Sequence, residues 1–197
     1  MFKRLFDFWV ALLLLVVFGI PIVMGVFLAS IDTKSFGLFK QMRIGQHGKF
    51  FTIYKIKTLN DQTQLSTSFG NFLRKYKLDE LTQLVNIING TMSFVGPRPD
   101  ISGYADKLTG EDSLVLQVRP GVTGLASLKY RNEEQILQHQ PNPFDYNDAI
   151  IWPDKVRINK WYVQNQSFLL DVKILFFTFV PLAFDTELFM SKNAIKK

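Results

Sequence analysis

The sequence contains no cysteine and only two histidines, His47 and His139. The lack of cysteine excludes disulfide bonds and thiolate metal centres. No second histidine and no carboxylate stands at ligand spacing from either histidine, which argues against a histidine-based zinc site. The glycine-rich phosphate-binding signatures G-x-x-x-x-G-K-[ST] and G-x-G-x-x-G are also missing. A bound nucleotide would therefore be held in another way, by arginines and backbone amides.

Acidic residues are in the minority, with 17 aspartates and glutamates against 23 lysines and arginines, which gives a formal charge of +6. This balance favours acidic partners such as nucleotides, phospholipids or nucleic acid. A chain of 197 residues is one domain with its own core, plus attachments. Phenylalanine is abundant near both ends of the chain, which indicates contact with lipid as well as with a core.

An almost wholly apolar run extends from Leu5 to Leu28, with Asp7 as its only charge. The run is long enough to cross a bilayer. Pro21 lies near its middle, where proline removes a helical hydrogen bond and kinks the axis. A kinked single span and a re-entrant hairpin are both compatible with this proline.

The charges on the two flanks distinguish these alternatives. Basic residues lie on both sides of the run, namely Lys3, Arg4, Lys34, Lys40, Arg43 and Lys49. Because positive residues prefer the cytoplasmic side, only the hairpin satisfies both flanks. We therefore predict a re-entrant membrane helix over residues 1–31, broken at Pro21, and a cytosolic domain with interfacial amphipathic helices over residues 32–197.

The pattern of the cytosolic part predicts an α/β (α+β) domain. Apolar alternation on both sides of Gly45–Gly48 predicts a β-hairpin. Residues 69–76 are typical of a short helix that bears Arg74 and Lys75, and helical spacing of apolar residues predicts a helix from Leu78 to Ile88. Residues 133–148 are polar and read as an exposed insertion. The segment 169–184 is typical of a buried or surface-lying amphipathic helix, and Trp152, Trp161 and Tyr162 are aromatics of the kind enriched at membrane interfaces.

An adjacent acidic pair, Asp79 and Glu80, is the most informative feature of the chain. It is flanked by cations at the start of a predicted helix, and the rigid turn Gly96-Pro97-Arg98-Pro99 follows. A carboxylate can attack phosphorus or hold a metal ion, and arginine pairs with phosphate oxygens. The alternative is purely structural, with Asp79 as a helix cap and Glu80 as a first-turn acid.

Other candidate residues have structural alternatives as well. Arg98 could simply shape a turn and Arg119 could pair with a surface acid. Lys55 and Lys57 alternate on a predicted strand and could form a solvated face.

Several ordered motifs together resemble the bacterial sugar transferases known as monotopic phosphoglycosyl transferases, in their small form. The motifs are Leu78-Asp79-Glu80-Leu81-Thr82-Gln83-Leu84, then residues 90–99 (GTMSFVGPRP), then residues 119–126 (RPGVTGLA), with Tyr54-Lys55-Ile56-Lys57-Thr58 as the family's basic strand. The similarity covers most of the chain, from Lys3-Arg4 and Asp7 to residues 170–174.

This resemblance implies a reaction and a location. Family members transfer a sugar phosphate from a UDP-sugar to a polyprenyl (undecaprenyl) phosphate and release UMP, the first membrane step of glycoconjugate assembly. A re-entrant helix anchors them to the cytoplasmic face of the bacterial inner membrane. The expected partners are the UDP-sugar, the polyprenyl phosphate and membrane lipid, with no nucleic acid, and a homo-oligomer is compatible with these features.

The resemblance also assigns roles to residues. Asp79 is expected to be the nucleophile and Glu80 to help hold Mg²⁺. Contacts with the substrate or its nucleotide are expected from a larger set, namely Lys55, Lys57, Arg98, Arg119, Thr123, Gly124 and Arg131.

The chain departs from the family pattern at two places. It has Ile20-Pro21 where the family usually has Ser-Pro, and residues 127–132 read SLKYRN where many members read QVxGRN. The rival hypothesis is a non-catalytic, membrane-anchored protein that binds anionic lipid or nucleic acid. Such a protein explains the charge and the anchor, but not an acidic pair set among basic residues.

Overall fold

The computed structural model describes residues 2–180 and 184–194. The chain forms two compact units, one of Met1–Arg43 and Phe50–Ser93 and the other of Ile44–Lys49 and Phe94–Lys197. Helices dominate both units, and the described strands form two sheets of two strands each, β1-β2 and β3-β4. The predicted mixture of helices and strands is confirmed.

The first unit carries the apolar helix and the acidic pair. Its elements are α1 (Phe2–Asp32), β1 (Leu38–Ile44, whose last residue belongs to the second unit), β2 (Phe50–Ile56), α2 (Ser68–Lys75), a 3₁₀ helix (Leu78–Gln83) and α3 (Leu84–Ile88). The predicted hairpin around Gly45–Gly48 and the predicted helix over 69–76 are both confirmed.

The second unit contains the remaining elements. They are β3 (Ser93–Val95, which begins at the end of the first unit), β4 (Gly121–Thr123), α4 (Leu125–Lys129), α5 (Glu133–Gln138), α6 (Pro143–Tyr146), α7 (Trp152–Gln164), α8 (Phe168–Phe179) and α9 (Thr186–Asn193). Short 3₁₀ helices lie at Ala105–Lys107 and Gly110–Gln117, a third at Gln46–Gly48, and a π-helical turn at Asn147–Ile151 leads into α7.

Helix α1 is the one helix, among the residues described, that is long and apolar enough to cross a membrane. At 31 residues it is about 46 Å long, which exceeds the bilayer's hydrocarbon core of about 30 Å. Its hydrogen-bonded helix continues through Pro21, so the secondary structure is not interrupted there. Re-entrant anchoring stays a prediction.

Both ends of α1 pack against the first unit. At the N-terminal end, Arg4 donates to the carbonyl oxygens of Ile87 and Ile88 at the end of α3, and buried Asp7 accepts a 2.7 Å hydrogen bond from Ser93 Oγ. At the C-terminal end, Ala29 joins a buried cluster with residues of β2 and α2, namely Ile56 and Leu73. Between these ends most side chains of α1 are apolar and at least partly exposed.

The segment predicted as one helix from Leu78 to Ile88 is two. It starts as the 3₁₀ helix Leu78–Gln83 and continues as α3. The chain enters it through Lys77, whose φ of 56° is left-handed, and leaves it at Gly90, whose φ is 80°. A Cβ at Gly90 would lie 3.2 Å from Arg4 Nη2, so the glycine also makes room for the arginine that caps α3.

The prediction for Tyr162 is wrong, because this residue lies in the core of the second unit. Tyr162 on α7 was predicted to suit a membrane interface, but it is fully buried in the hydrophobic core. Its hydroxyl donates to Asp171 Oδ1 of α8 at 2.6 Å and lies 3.3 Å from the carbonyl oxygen of Val95. Tyr162 satisfies a buried carboxylate there, which a composition-based expectation does not reveal. Trp161 also packs against this core.

Two other predicted segments match in outline. No residue of 133–148 is buried, as expected of an exposed insertion, although the segment forms helices α5 and α6. Helix α8 begins one residue before the predicted segment 169–184, of which residues 181–183 are outside the part of the chain described. It buries Leu170, Asp171 and Ile174 and exposes apolar side chains such as Phe176 and Phe179.

The contact between α1 and Ser93 gives a stability prediction. Ser93→Ala removes the hydroxyl that donates to buried Asp7, and weakening a buried hydrogen bond of this kind costs about 1–3 kcal/mol. The melting temperature of the purified protein in detergent should fall by several degrees. Ser68→Ala, at an exposed site, is the matched control and should change it little. An unchanged melting temperature for Ser93→Ala would show that the contact does not hold α1.

Candidate active site

The acidic pair lies inside the first unit rather than on its surface. Asp79 and Glu80 are each 8% exposed. The cap position of the 3₁₀ helix is occupied by Lys77, and no side chain caps this helix end. The structural alternative in which Asp79 is the helix cap is therefore wrong.

Lys55 and Glu80 form the central contact of the site. Lys55 Nζ lies 2.7 Å from Glu80 Oε1, and their side chains are 20% and 9% exposed. Strand β2 supplies the lysine, and the tight 3₁₀ turn supplies the glutamate. A shielded pair of this kind fixes both side chains, because either charge alone would be costly to bury. The basic strand and the acidic pair of the sequence analysis therefore meet in the structure.

Asp79 stands next to this ion pair with part of its carboxylate unused. Its Oδ1 is buried and has no hydrogen-bond partner among the residues described. Burial raises the pKa of the Asp79 carboxyl and the negative charge of Glu80 raises it further, while Lys55 and Lys77 pull it down. A buried polar atom without a partner costs about 1–3 kcal/mol, and such atoms are typical of sites that a substrate or ion completes.

Lys57, predicted to lie on the same strand as Lys55, directly follows the end of β2 and has a different partner. Its Nζ donates to Asp61 Oδ2 at 2.6 Å and to Ser35 Oγ at 2.8 Å. These bonds tie the end of β2 to the segments that flank it, and the structure does not place Lys57 on the acidic pair. Its expected role in substrate binding stays a prediction.

Asn86 is a site-building residue that the sequence analysis missed. It is 2% exposed, and its side-chain amide forms hydrogen bonds with two backbone groups of β2. Its Nδ2 donates to the carbonyl oxygen of Thr52 at 2.7 Å, and its Oδ1 accepts from the amide of Tyr54 at 3.3 Å. The contact holds β2, and so Lys55, against the segment that carries Glu80. The available signal was that Asn86 is the one polar residue between Leu84 and Ile88.

The carboxylates of Asp79 and Glu80 are the candidate ligands for the expected Mg²⁺. Among the residues described, no group of three or more histidine, aspartate or glutamate side chains could hold a metal ion. Mg²⁺ in nucleotide enzymes commonly has only one or two protein carboxylates, with water and substrate phosphates as its other ligands. Two adjacent carboxylates, one with an unpartnered oxygen, fit that second type of site.

The two arginine-containing turns meet in the second unit. The amide of Gly121 donates to the carbonyl oxygen of Pro97 at 2.8 Å, and the amide of Gly96 donates to that of Thr123 at 3.0 Å. A Cβ on Gly96 would lie 2.4 Å from the carbonyl oxygen of Arg119, and one on Gly121 would lie 2.2 Å from the Gly96 amide. Glycine is therefore required at both positions, and the turns of Arg98 and Arg119 are locked together.

The other expected substrate contacts lie in the same unit and have structural partners. Thr123 Oγ1 lies 2.9 Å from Thr178 Oγ1 of α8. A Cβ on Gly124 would lie 2.2 Å from the carbonyl oxygen of Gly96. Arg131 Nη2 donates to the carbonyl oxygen of Phe177 at 2.7 Å. Their roles in substrate binding stay predictions, as do those of Arg98 and Arg119.

Comparison with known proteins gives one consistent answer. The chain is 36% identical over 186 residues to the "Uncharacterized sugar transferase EpsL" of Bacillus subtilis, covering 89% of this chain and 84% of that protein. It is 33% identical over 195 residues to the "UDP-glucose:undecaprenyl-phosphate glucose-1-phosphate transferase" of Klebsiella pneumoniae, covering 90% of this chain and 39% of that protein.

A third relative is the "Undecaprenyl-phosphate galactose phosphotransferase" of Salmonella typhimurium, at 29% identity over 203 residues. The match covers 89% of this chain and 39% of that protein, so the chain corresponds to well under half of these larger relatives. The sequence model described as Bacterial sugar transferase matches residues 1–185. With nearly the whole chain matched, and with the family's acidic pair and basic strand in contact in the structure, the protein belongs to the bacterial sugar transferase family.

Proposed function

We propose that the protein is a phosphoglycosyl transferase, which moves a sugar phosphate from a UDP-sugar to a polyprenyl phosphate and releases UMP. The proposal rests chiefly on Asp79, a buried carboxylate with an unpartnered oxygen, held beside the Lys55–Glu80 ion pair. The names of the larger relatives from Klebsiella and Salmonella refer to undecaprenyl phosphate as a substrate, which supports the same reaction here.

The first step is an attack by Asp79. A carboxylate oxygen forms a bond to the β-phosphorus of the UDP-sugar, and the bond from that phosphorus to the bridging oxygen breaks. The electron pair leaves with UMP, and the sugar phosphate remains on Asp79. The raised pKa of this carboxyl marks a carboxylate that is more basic, and so more nucleophilic, than a solvated one.

The second step regenerates the enzyme. An oxygen of the polyprenyl phosphate attacks the same phosphorus, the bond to Asp79 breaks, and the aspartate carboxylate is restored. No proton needs to be removed from the attacking group, because a phosphate oxygen is already anionic. The protein therefore has mainly to bring anions together, which the ammonium groups of Lys55 and Lys77 assist.

Glu80 is the residue proposed to hold Mg²⁺, together with phosphate oxygens of the donor. When bound, the ion would lower the repulsion between the carboxylate nucleophile and the diphosphate. Lys55 has the complementary role of holding Glu80 in place at 2.7 Å.

The membrane arrangement is proposed on two observations. Both ends of α1 pack against the first unit, whereas its middle is apolar and largely exposed. A helix that passed straight through a bilayer would place its two ends on opposite faces, whereas a helix bent at Pro21 would return both ends to the face on which the rest of the unit lies. A re-entrant helix on the cytoplasmic face agrees with the contacts and with the basic flanks.

Helix α8 supports attachment at the interface. It buries its aspartate, Asp171, and exposes Leu169, Val172, Phe176 and Phe179. A helix that faces water exposes its charged side chains and buries its apolar ones. The opposite distribution in α8 suits a helix that faces lipid.

One assay distinguishes the proposed transferase from the rival hypothesis of a non-catalytic binding protein. The purified protein is incubated with a panel of UDP-sugars, and UMP is measured with and without polyprenyl phosphate. The proposed function predicts UMP from at least one donor. A mere anion-binding protein would release none, although it would still bind anionic vesicles.

Asp79→Asn should lower the turnover rate by several powers of ten, because an amide cannot attack phosphorus. The wild type should release UMP before any acceptor is added, up to about one equivalent of enzyme, and the variant should release none. It should also unfold at an equal or higher temperature, since it removes a buried charge. Asp106→Asn, at an exposed site, is the control. Substantial activity in Asp79→Asn, or a strict need for acceptor before UMP forms, would contradict the covalent mechanism.

Glu80→Gln should disable the enzyme through the metal. The Mg²⁺ concentration for half-maximal activity should rise strongly, or rescue should fail, whereas Glu134→Gln should behave as wild type. EDTA should stop the wild-type reaction, and Ca²⁺ should restore it poorly because its preferred geometry is looser. A wild-type rate that is unaffected by EDTA would remove the metal role from Glu80.

The hairpin is testable with Lys3→Cys and Lys34→Cys, because the chain has no cysteine to interfere. In intact cells both introduced thiols should be protected from an impermeant reagent and should react only after lysis. Glu134→Cys, in the exposed insertion of the cytosolic domain, is the control for a thiol that the reagent labels only after lysis. Labelling of the Lys3→Cys protein from outside would instead indicate a single span.

A further inference from the structure

Three aromatic rings form a continuous row on one side of α2 and its C-terminal end. Phe69 and Phe72 stack with ring centroids 6.5 Å apart at an interplanar angle of 15°. Phe72 and Tyr76 follow at 5.1 Å and 59°. We call Phe69, Phe72 and Tyr76 the aromatic ladder, and it extends about 10 Å along the helix axis.

Two of the three rings of the ladder are not needed to fill the core, whereas Phe69 packs against the buried cluster of Ala29, Ile56 and Leu73. Phe72 is 49% exposed and Tyr76 is 56% exposed, while the buried contact of α2 is made by Leu73, which is 3% exposed. Leu73 packs in one cluster with Ala29 near the end of α1. The ladder is therefore carried on a helix fixed to the membrane helix, so an apolar molecule embedded in the bilayer can reach it.

The ladder is bordered by cations and leads to the acidic pair. Arg74 and Lys75 occupy the last turn of α2, and Lys75 Nζ lies 5.4 Å from the centre of the Tyr76 ring. Lys77 turns the chain through its left-handed conformation into the 3₁₀ helix. Asp79 is three residues beyond Tyr76, so their Cα atoms are at most about 11 Å apart.

We propose that the aromatic ladder is the docking surface for the isoprenoid chain of the acceptor, a polyprenyl phosphate, with its phosphate held among the cations beside Asp79. This inference rests on the proposed function and names the part of the site that receives the second substrate. An acceptor needs an apolar surface that continues into a cationic one close to the nucleophile, and the segment from Phe69 to Asp79 has these features in that order along the chain.

The same surface fits the alternatives less well. The nucleotide's diphosphate and sugar offer little for a row of exposed apolar rings to bind. Bulk phospholipid would suit exposed rings, but it does not require the row to end at the catalytic carboxylate. Whether ordinary lipid is the occupant is one outcome of the test.

The test compares Phe72→Ser with wild type in two measurements. The first is the release of UMP from the UDP-sugar without acceptor, which reports the step at Asp79 and needs no polyprenyl phosphate. The second is the KM for polyprenyl phosphate under turnover. The UMP burst should keep its amplitude, and the KM should rise by about tenfold or more, as expected for the loss of a half-buried phenylalanine contact.

Specificity provides a second readout. Wild type should prefer a polyprenyl phosphate to a straight-chain alkyl phosphate of similar length, and Phe72→Ser should lose much of this preference. Phe36→Ser, at a phenylalanine of the same unit that is 69% exposed, is the matched control and should behave as wild type in both measurements. If Phe72→Ser fails to fold, Tyr76→Ser takes its place, because that ring is more exposed.

The outcomes separate this inference from the function on which it rests. No UMP from any donor with the wild type would overturn the proposed function itself. A normal burst with an unchanged KM and unchanged acceptor preference would overturn only the ladder. Weaker binding of the variant to vesicles that lack polyprenyl phosphate, with KM unchanged, would assign the ladder to bulk lipid and also overturn the proposal.

Discussion

The ion pair between Lys55 and Glu80 is the contact on which the candidate site depends. It joins two segments that are 25 residues apart in the chain, and both side chains are largely shielded from water. Removing one partner of a buried pair commonly costs about 3–5 kcal/mol, because the other charge is left uncompensated. Glu80 and the neighbouring Asp79 therefore stay in place only while β2 stays against the 3₁₀ helix. Asn86 secures that placement through two backbone groups of the strand.

The same unit also fixes the apolar helix, so the chemistry and the membrane contact share one framework. Arg4 caps α3, which continues directly from the 3₁₀ helix of the acidic pair. Ala29 packs with Ile56, the last residue of the strand that carries Lys55. A shift of either end of α1 would therefore change the positions of the Asp79 and Glu80 carboxylates. In the proposed transfer to a lipid phosphate, this connection would keep the proposed nucleophile, Asp79, at a constant depth relative to the membrane surface.

The sequence was sufficient for features that depend on local pattern. The alternation around Gly45–Gly48 predicted the hairpin, and the short helix predicted over residues 69–76 is α2. The acidic pair was found because carboxylates among cations are unusual. Contacts between distant segments were not predictable in this way: nothing local indicates that Glu80 meets Lys55, that Asn86 pairs with β2, or that Tyr162 is buried on Asp171. The 3₁₀ geometry of residues 78–83 also escaped, because its apolar spacing over six residues resembles that of an α-helix.

Asp79 shows how stability and function oppose each other at this site. A carboxylate with a buried, unpartnered oxygen destabilises the folded protein. Burial, and after it the charge of Glu80, also raise the pKa of this carboxyl. A hydrogen-bond donor at Oδ1 would remove this cost, but it would occupy the oxygen that attacks phosphorus in the proposed mechanism. The Lys55–Glu80 pair and the packing of α1 stabilise the surrounding segments and so offset the cost. In the proposed mechanism the substrate, rather than the protein, completes the coordination of that oxygen.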